Sequence, residues 1–345
     1  MSRVLRSAGD RFSIRINPRV ARTIVISLGV AALGAIASLM FGNAPLSPAR
    51  VVEILLGDYS RASGFEVFTV LDVRLPRLIC ALLAGLALGI SGALFQQLTE
   101  NPLGSPDIIG FTAGASTGAV AAIALGGAVS IGAGALLGAL AAAALIYLLA
   151  WRSGLDGFRL ILVGIGVSAV LGAVRTYLLS RADLAEAQAG YRWLVGGLSG
   201  RNWDDVQTIV VGAVVLIPAT ILLHRPADRL SVGHDLATSQ GLNVGRWRIV
   251  MALVGTGWVA VAVLVAGPIG FVALAAPHVA RLLGAGSGPH FATSGLVGAA
   301  LLILADVISL RALAPTQLPT GVVTGILGGL YLLWLLQSRQ RGRTS

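Results

Sequence analysis

Twenty-five arginines stand against 15 aspartates and glutamates in this sequence, without a single lysine. A phosphate-cradling GxxxxGK[ST] loop needs its lysine on the β- and γ-phosphates, and a Schiff-base enzyme needs an amine, so both chemistries are excluded. His224, His234, His278 and His290 lie at least ten positions apart, form no HExxH pair and have no cysteine partners, which offers no zinc site. The single cysteine, Cys80, sits inside an apolar run and reads as a small packing residue. Serines such as Ser91 and Ser168, also within apolar runs, are expected to hydrogen-bond neighbouring helices rather than to attack a substrate. No catalytic cluster, metal site or cofactor is expected. The residues left with chemistry to do are charges placed among apolar neighbours, because charge in lipid is costly and faces a cavity or a partner. Asp306, in LLILADVISLRAL, is the sharpest of these. It reads either as a pair with Arg311 or a helix-end hydrogen bond near the outer face, or as part of a proton relay, which would need further buried carboxylates. Arg175, toward the outer end of its run, either lines a vestibule for an anionic ligand or snorkels to the interface.

These residues must be positioned by membrane helices. Of the 345 residues, 56% are apolar and only 12% charged, with a mean hydropathy of +0.85, where about 25% charged is usual for a soluble protein. Apolar runs long enough to cross a bilayer recur at 23–41, 75–98, 108–126, 129–150, 159–180, 206–223, 247–266, 269–284, 294–313 and 320–337. The expectation is one all-α integral membrane domain over 23–337, preceded by an Arg-rich cytoplasmic segment, 1–22, and followed by a short cytoplasmic tail, 338–345. The run from Thr23 to Phe41 exceeds a signal-peptide core, so it is read as an uncleaved first span. With both termini cytoplasmic, 16 arginines fall inside and nine outside, the bias expected of cytoplasmic segments. The basic balance therefore encodes topology, and no nucleic-acid partner is expected, since no basic patch is interleaved with aromatics on a soluble fold.

Three connections are long enough to fold. Outer segment 42–73 contains SPARVVEILLGD, where Ser47 and Pro48 can open a helix. Outer segment 181–204 carries Trp193 and Trp203, suited to a bilayer interface. Cytoplasmic segment 224–246 is polar and reads as two short helices split near Gly241, a surface for a partner. Small residues at helical spacing (Gly85 with Gly89; Gly110, Gly114 and Gly118; Gly134 with Gly138; Gly321, Gly325 and Gly329) predict closely packed helices. Proline breaks at Pro102 and Pro106 after the second span, and at Pro268 and Pro277 around the eighth, point to an inverted repeat about a central path.

From Val73 onward the chain resembles the permease subunits of ABC type II importers for ferric siderophores and cobalamin, through RLPR at 74–77, SGALFQ at 91–96, NPLGSPDIIGFTAGA at 101–115, VAGPIGFVALAAPHVARLLG at 265–284 and LADVISLRALAPTQLPTGVVTGILGG at 304–329. The resemblance implies ten helices per subunit and two permease subunits, identical or paralogous, around one path. It also implies two cytoplasmic ABC ATPases and an extracytoplasmic siderophore-binding protein or lipoprotein. Arg74, Arg77 and Arg311 are implied to dock that protein; the alternative for the first two is an interfacial anchor. Asn101 and Leu103, with Gly157 and Phe158 of the loop from Gly154, are implied to form the cytoplasmic gate. The segment 228–245, with Gly233, Asp235, Ala237 and Gly241, is implied to couple to the ATPase. Gln96, Arg175 and Asp306 are the pathway candidates.

The family usually has an arginine where Leu310 stands, a glutamate where Gln317 stands and a proline where Leu330 stands. Gly157 and Phe158 differ from the small hydroxyl residues of the cobalamin relatives, which favours a siderophore cargo. The expected function is a non-catalytic, multi-pass permease of the bacterial cytoplasmic membrane importing a ferric siderophore. Cobalamin or haem are alternative cargoes, and an ion-coupled secondary transporter is the alternative class.

Overall fold

The computed structural model describes residues 3–6, 13–16, 18–42, 46–126, 129–151, 156–285, 288, 290–314 and 316–341. One local feature departs from the all-helical expectation: β1 (Arg3–Arg6) pairs antiparallel with β2 (Ser13–Ile16), Leu5 opposite Ile14. The β-branched residues Val4, Ile14 and Ile16 in these two short runs suit an extended ribbon. The helices that follow are α1 (Pro18–Met40), α2 (Pro48–Leu55), α3 (Gly64–Phe68), α4 (Leu75–Thr99), α5 (Pro106–Ile109), α6 (Phe111–Ala124), α7 (Ile131–Ala150), α8 (Gly157–Arg181), α9 (Leu184–Val195), α10 (Trp203–Leu230), α11 (His234–Ser239), α12 (Val244–Ala266), α13 (Val272–Ala280), α14 (Phe291–Arg311) and α15 (Thr320–Arg341). A π-helical turn, Thr69–Arg74, joins α3 to α4, and another, Arg281–Ala285, extends α13.

Seven helices are long and apolar enough to cross a bilayer, and three shorter apolar ones, Phe111–Ala124, Val272–Gly284 and Thr320–Trp334, complete the ten expected segments. Two of the short helices follow backbone breaks. Gly110, at φ 101°, separates α5 from α6, and Gly267 and Phe271, both at φ 68°, separate α12 from α13. A bulky residue in the left-handed region is strained. The Phe271 ring is held against Gly328, where any Cβ would collide with it.

Helix α4 is the centre of the bundle. Its apolar window is 78% buried, against 22% for α1 and 17% for α8, and α12, α13 and α14 pack around it. Lipid is as apolar as leucine, so burial alone does not hold such helices together; close contact and hydrogen bonds do. The glycines supply the contact. A Cβ built on Gly85 would lie 2.5 Å from the Gly298 carbonyl oxygen of α14, Gly89 meets Ser294 of the same helix, and Gly114 and Gly118 of α6 face Gly138 and Gly134 of α7. The C-terminal stripe differs from expectation. Gly321 abuts the Val195 carbonyl, yet nothing lies within 4 Å of Gly325 or Gly329, because Gly328 is the position facing α13. Hydrogen bonds add to this contact: Trp258 Nε1 donates to Thr220 Oγ1 at 2.8 Å, and Ser91 Oγ donates to the Gly255 carbonyl at 2.8 Å as expected, whereas the buried Ser168 hydroxyl, beside the close approach of Gly110 and Gly164, finds no hydrogen-bond partner among the described residues.

Candidate functional site

At one end of the bundle, the end read from the sequence as the outer one, the first turns of α4 meet the last turns of α14. Arg77 donates to Asp306 through Nη2 at 2.8 Å and Nε at 3.0 Å, and Asp306 also accepts from the Thr320 hydroxyl at 2.9 Å. Asp306 is fully buried and Arg77 8% exposed. The pairing of Asp306 with Arg311 is thus corrected. A buried carboxylate needs a desolvated cation with fork geometry, and helix packing brings Arg77, 229 positions away, to that place, while Arg311 lies exposed with its guanidinium 4.4 Å from the Phe41 ring centre. Arg74, 6% exposed, donates to the Leu39 carbonyl at 2.6 Å and the Met40 carbonyl at 3.2 Å. It thereby satisfies orphan carbonyls at the end of α1. Neither RLPR arginine presents a guanidinium at the outer surface. Arg50 is engaged by Glu53 at 2.9 Å and Glu66 at 3.7 Å, and the two Ser60 donors hold the exposed Asp58 carboxyl below the usual carboxylate range. Of the three docking candidates, Arg311 is the one displayed.

At the opposite end, α4 stops on Glu100, which adopts φ 52° and pairs with Arg248 of α12 at 2.5 Å. The turn that follows is fixed by Asn101 Oδ1, which accepts from the Leu103 amide at 2.9 Å. Gly157, opening α8, lies against the Thr99 backbone, 2.6 Å from its Cα for a built Cβ, so the two expected gate segments touch. Phe158 projects outward, 72% exposed, and Leu103 is 48% exposed. Residues 154–155 of the second gate loop lie outside the described residues. Inside the turn, Gln96 donates to the Leu274 carbonyl at 3.1 Å and accepts from Arg281 Nη2 at 2.8 Å. A cavity of about 260 Å³ opens beside them, lined also by Glu100, Asn101, Pro277 and His290. Arg281 was not singled out in the sequence, although a charge within the apolar segment 269–284 signals a functional position.

The segment 228–245 folds differently from the two short helices expected: only one short helix, α11, stands alone, set between the positive-φ glycines Gly233 at φ 104° and Gly241 at φ 77°, because the residues after Gly241 begin the long helix α12 at Val244. Ala237 is fully buried and packs with Leu242 and Val244 against Leu230 and Trp247. Asp235 lies in the first turn of α11. This small core fixes α11 to the ends of α10 and α12, the rigid attachment a lever needs.

A third charged place was missed. Asp107 follows Pro106 in the short helix α5, where the loop position hid its membrane depth. Its carboxylate accepts from the Thr112 hydroxyl at 2.6 Å and faces the Phe271 amide. It lines a cavity of about 340 Å³ together with Thr112, Ser116, Arg175, Pro268 and Gly270. Both helix breaks therefore open onto one cavity that holds both charges, with pathway candidate Arg175 on its wall. Ser116 is the central residue of GASTG, the spacing of a nucleophile elbow, yet it lies mid-helix in α6 and not on a strand-to-helix turn, so the string carries no such role here. A further cavity of about 840 Å³ lies between α1, α4, α10 and α14, lined by aliphatic Val20, Ile24, Leu86, Ile217 and Leu296 and by the ionisable His224, Arg225, Asp228 and His290.

Comparison with known proteins finds similarity over nearly the whole chain. The ferric enterobactin transport system permease protein FepG of Escherichia coli (strain K12) is 39% identical over 330 residues, covering 95% of this chain and 99% of its own. The vitamin B12 import system permease protein BtuC of Shigella boydii is 37% identical over 297 residues, covering 84% and 89%. A solved transporter assigned to the metal-chelate ABC type, in an inward-facing conformation, superposes with a TM-score of 0.79 at 25% identity, covering 91% of this chain and 98% of that one. The model of the FecCD transport family matches residues 30–338. An all-helical bundle broken at α5 and at α13, with its buried charges held between α4, α13 and α14, is thus a permease of ABC transporters set in a membrane, and the chain belongs to the FecCD transport family.

Proposed function

We propose that this chain is the permease subunit of an ATP-driven importer carrying a ferric siderophore across the cytoplasmic membrane, with ATP hydrolysed by separate cytoplasmic ATPase chains. The observation that carries the cargo is the near full-length similarity to a ferric enterobactin permease. The similarity to BtuC supports cobalamin as the second cargo. A second permease subunit, identical or paralogous, faces the little-covered side of α8, where Leu162, Ile165, Val170, Val174 and Tyr177 are exposed. Both termini are cytoplasmic in this reading, supported by the Arg bias. An extracytoplasmic siderophore-binding protein or lipoprotein docks on the outer end, with Arg311 as the displayed cation and Arg74 and Arg77 behind it, shaping the ends of α1, α4 and α14. Closure of the ATPases pushes on α11, and the displacement passes through α10 and α12 to the turn at Asn101 and Leu103 and to Gly157 and Phe158.

In proteoliposomes holding both permease subunits, the ATPase and the binding protein, uptake of a radio-iron siderophore chelate is expected to require ATP. Full-rate uptake with the ATPase left out would overturn the reading in favour of an ion-coupled carrier. Replacing Ala237 by Arg places a charge in the small core under α11, where an unpaired buried charge costs several kcal/mol. Uptake is then expected to fall at least about tenfold while the ATPase chains still hydrolyse ATP; Asp235→Ala should cause a smaller loss of the same kind. Uptake and hydrolysis falling strictly in parallel would remove α11 from the coupling path.

A further inference from the structure

Resting on the importer reading, we propose that the cavity between α5, α6, α8 and the α12–α13 break is an anion-selecting cargo site, with Arg175 as its specificity-determining residue and Asp107 limiting the charge it accepts. Asp107 accepts from the Thr112 hydroxyl at 2.6 Å, and the Phe271 amide faces it. Arg175, on the same cavity wall, is only partly exposed and forms no ion pair among the described residues. A guanidinium withdrawn from bulk water, on a wall whose one carboxylate is already hydrogen-bonded, is a receptor for oxyanions or for the delocalised negative charge of a chelate. The site lies where two broken helices meet, the place at which membrane carriers expose backbone groups to substrate. Thr112, Ser116, Pro268 and Gly270 complete the wall beside Arg175. Three dianionic catecholates around Fe³⁺ give a trianionic complex, whereas three monoanionic hydroxamates give a neutral one. The Arg175 guanidinium draws the former class more strongly than the latter, and the Asp107 carboxylate opposes that attraction in part.

Two readouts test this, one independent of cargo. In the full complex, with Cys80→Ala as background, Ala113→Cys places a thiol on the cavity wall, and its modification rates by an anionic sulfonatoethyl and a cationic trimethylammonium methanethiosulfonate are compared. Arg175→Gln is expected to lower the anion-to-cation rate ratio about fivefold, the size of one partly screened charge at this range, and Asp107→Asn to raise it. A ratio unmoved by Arg175→Gln overturns the proposal whatever the complex transports, and a complex that transports no siderophore but shows the shift overturns only the importer reading's cargo. In uptake assays, Arg175→Gln is expected to reduce import of a ferric triscatecholate about tenfold with Arg175→Lys retaining most of it, since charge and not shape is what the cargo reads. Equal losses in both variants, or equal losses for triscatecholate and neutral trishydroxamate, would assign Arg175 a structural role and overturn the proposal.

Discussion

Removing either partner of the Arg77–Asp306 pair is expected to destabilise the protein by about 3–5 kcal/mol, because the survivor is left as an unpaired buried charge. Asp306 is fully buried and accepts from Arg77 and from Thr320, so Asp306→Ala leaves a guanidinium with its remaining acceptor, Gln317 Oε1, at 3.3 Å. Arg77→Ala leaves a carboxylate with one hydroxyl. The combined Arg77→Met, Asp306→Leu protein exchanges two desolvated charges for apolar side chains, taking the Asp306 acceptor from the Thr320 hydroxyl and the Arg77 donor from Gln317 Oε1. It is expected to recover to within about 1–3 kcal/mol of the parent. Denaturant or thermal unfolding in lipid nanodiscs, arranged as a double-mutant cycle, measures this. Additive losses with no coupling would show that the pair is not a unit. The experiment also separates structure from docking. If Arg77 serves mainly to hold α4 to α14, the double replacement keeps affinity for the binding protein, whereas Arg311→Glu weakens it, most at low salt.

Gly92 gives the second large effect. A Cβ there would overlap the Ala273 carbonyl oxygen, with the Ala273 Cα at 3.0 Å, and backbone, unlike a flexible side-chain tip, cannot step aside. Gly92→Val must push α4 away from α13. Overpacking of this kind costs about 1–3 kcal/mol, and the shift acts on the helix that carries Phe271, the Asp107 cavity and the Gln96–Leu274 hydrogen bond. A loss of uptake of about tenfold is expected with the protein still inserted, since a small displacement of groups that position a ligand is costly. Gly29→Ala in α1 is the contrasting case, with nothing within 4 Å of the added carbon. There the ordinary preference of a helix for alanine applies, and stability should rise by up to about 1 kcal/mol. If both glycines tolerate alanine and valine alike, close approach is not what α4 contributes.

How much could be seen in advance follows from which interactions are local. The ten apolar segments coincide with ten apolar helices because crossing a bilayer demands an uninterrupted internal hydrogen-bond ladder and an apolar surface, both written in consecutive residues. Gly85 and Gly89, Gly114 and Gly118 were legible for the same reason, being spaced by one turn of the helix they sit on. The polar segment around Asp235 was legible because too few apolar residues remain there to enter lipid. Partners across the bundle were not. Asp306 lies five residues from Arg311 and 229 from Arg77, and sequence distance favoured the wrong one. Arg77 reaches the carboxylate only because α4 and α14 pack closely, Gly85 and Gly89 against Ser294 and Gly298. Asp107 was hidden by its prolines. Pro102 and Pro106 mark a turn, and only the tertiary structure shows that this turn re-enters the bundle beside Phe271. The sequence by itself determined the membrane environment, the number of spans, the topology signal and the family resemblance, since each is a property of composition or of residues close along the chain. Tertiary structure alone decided which charges neutralise one another and which, like Arg175, line a cavity, because desolvation makes a charge choose its partner by spatial proximity.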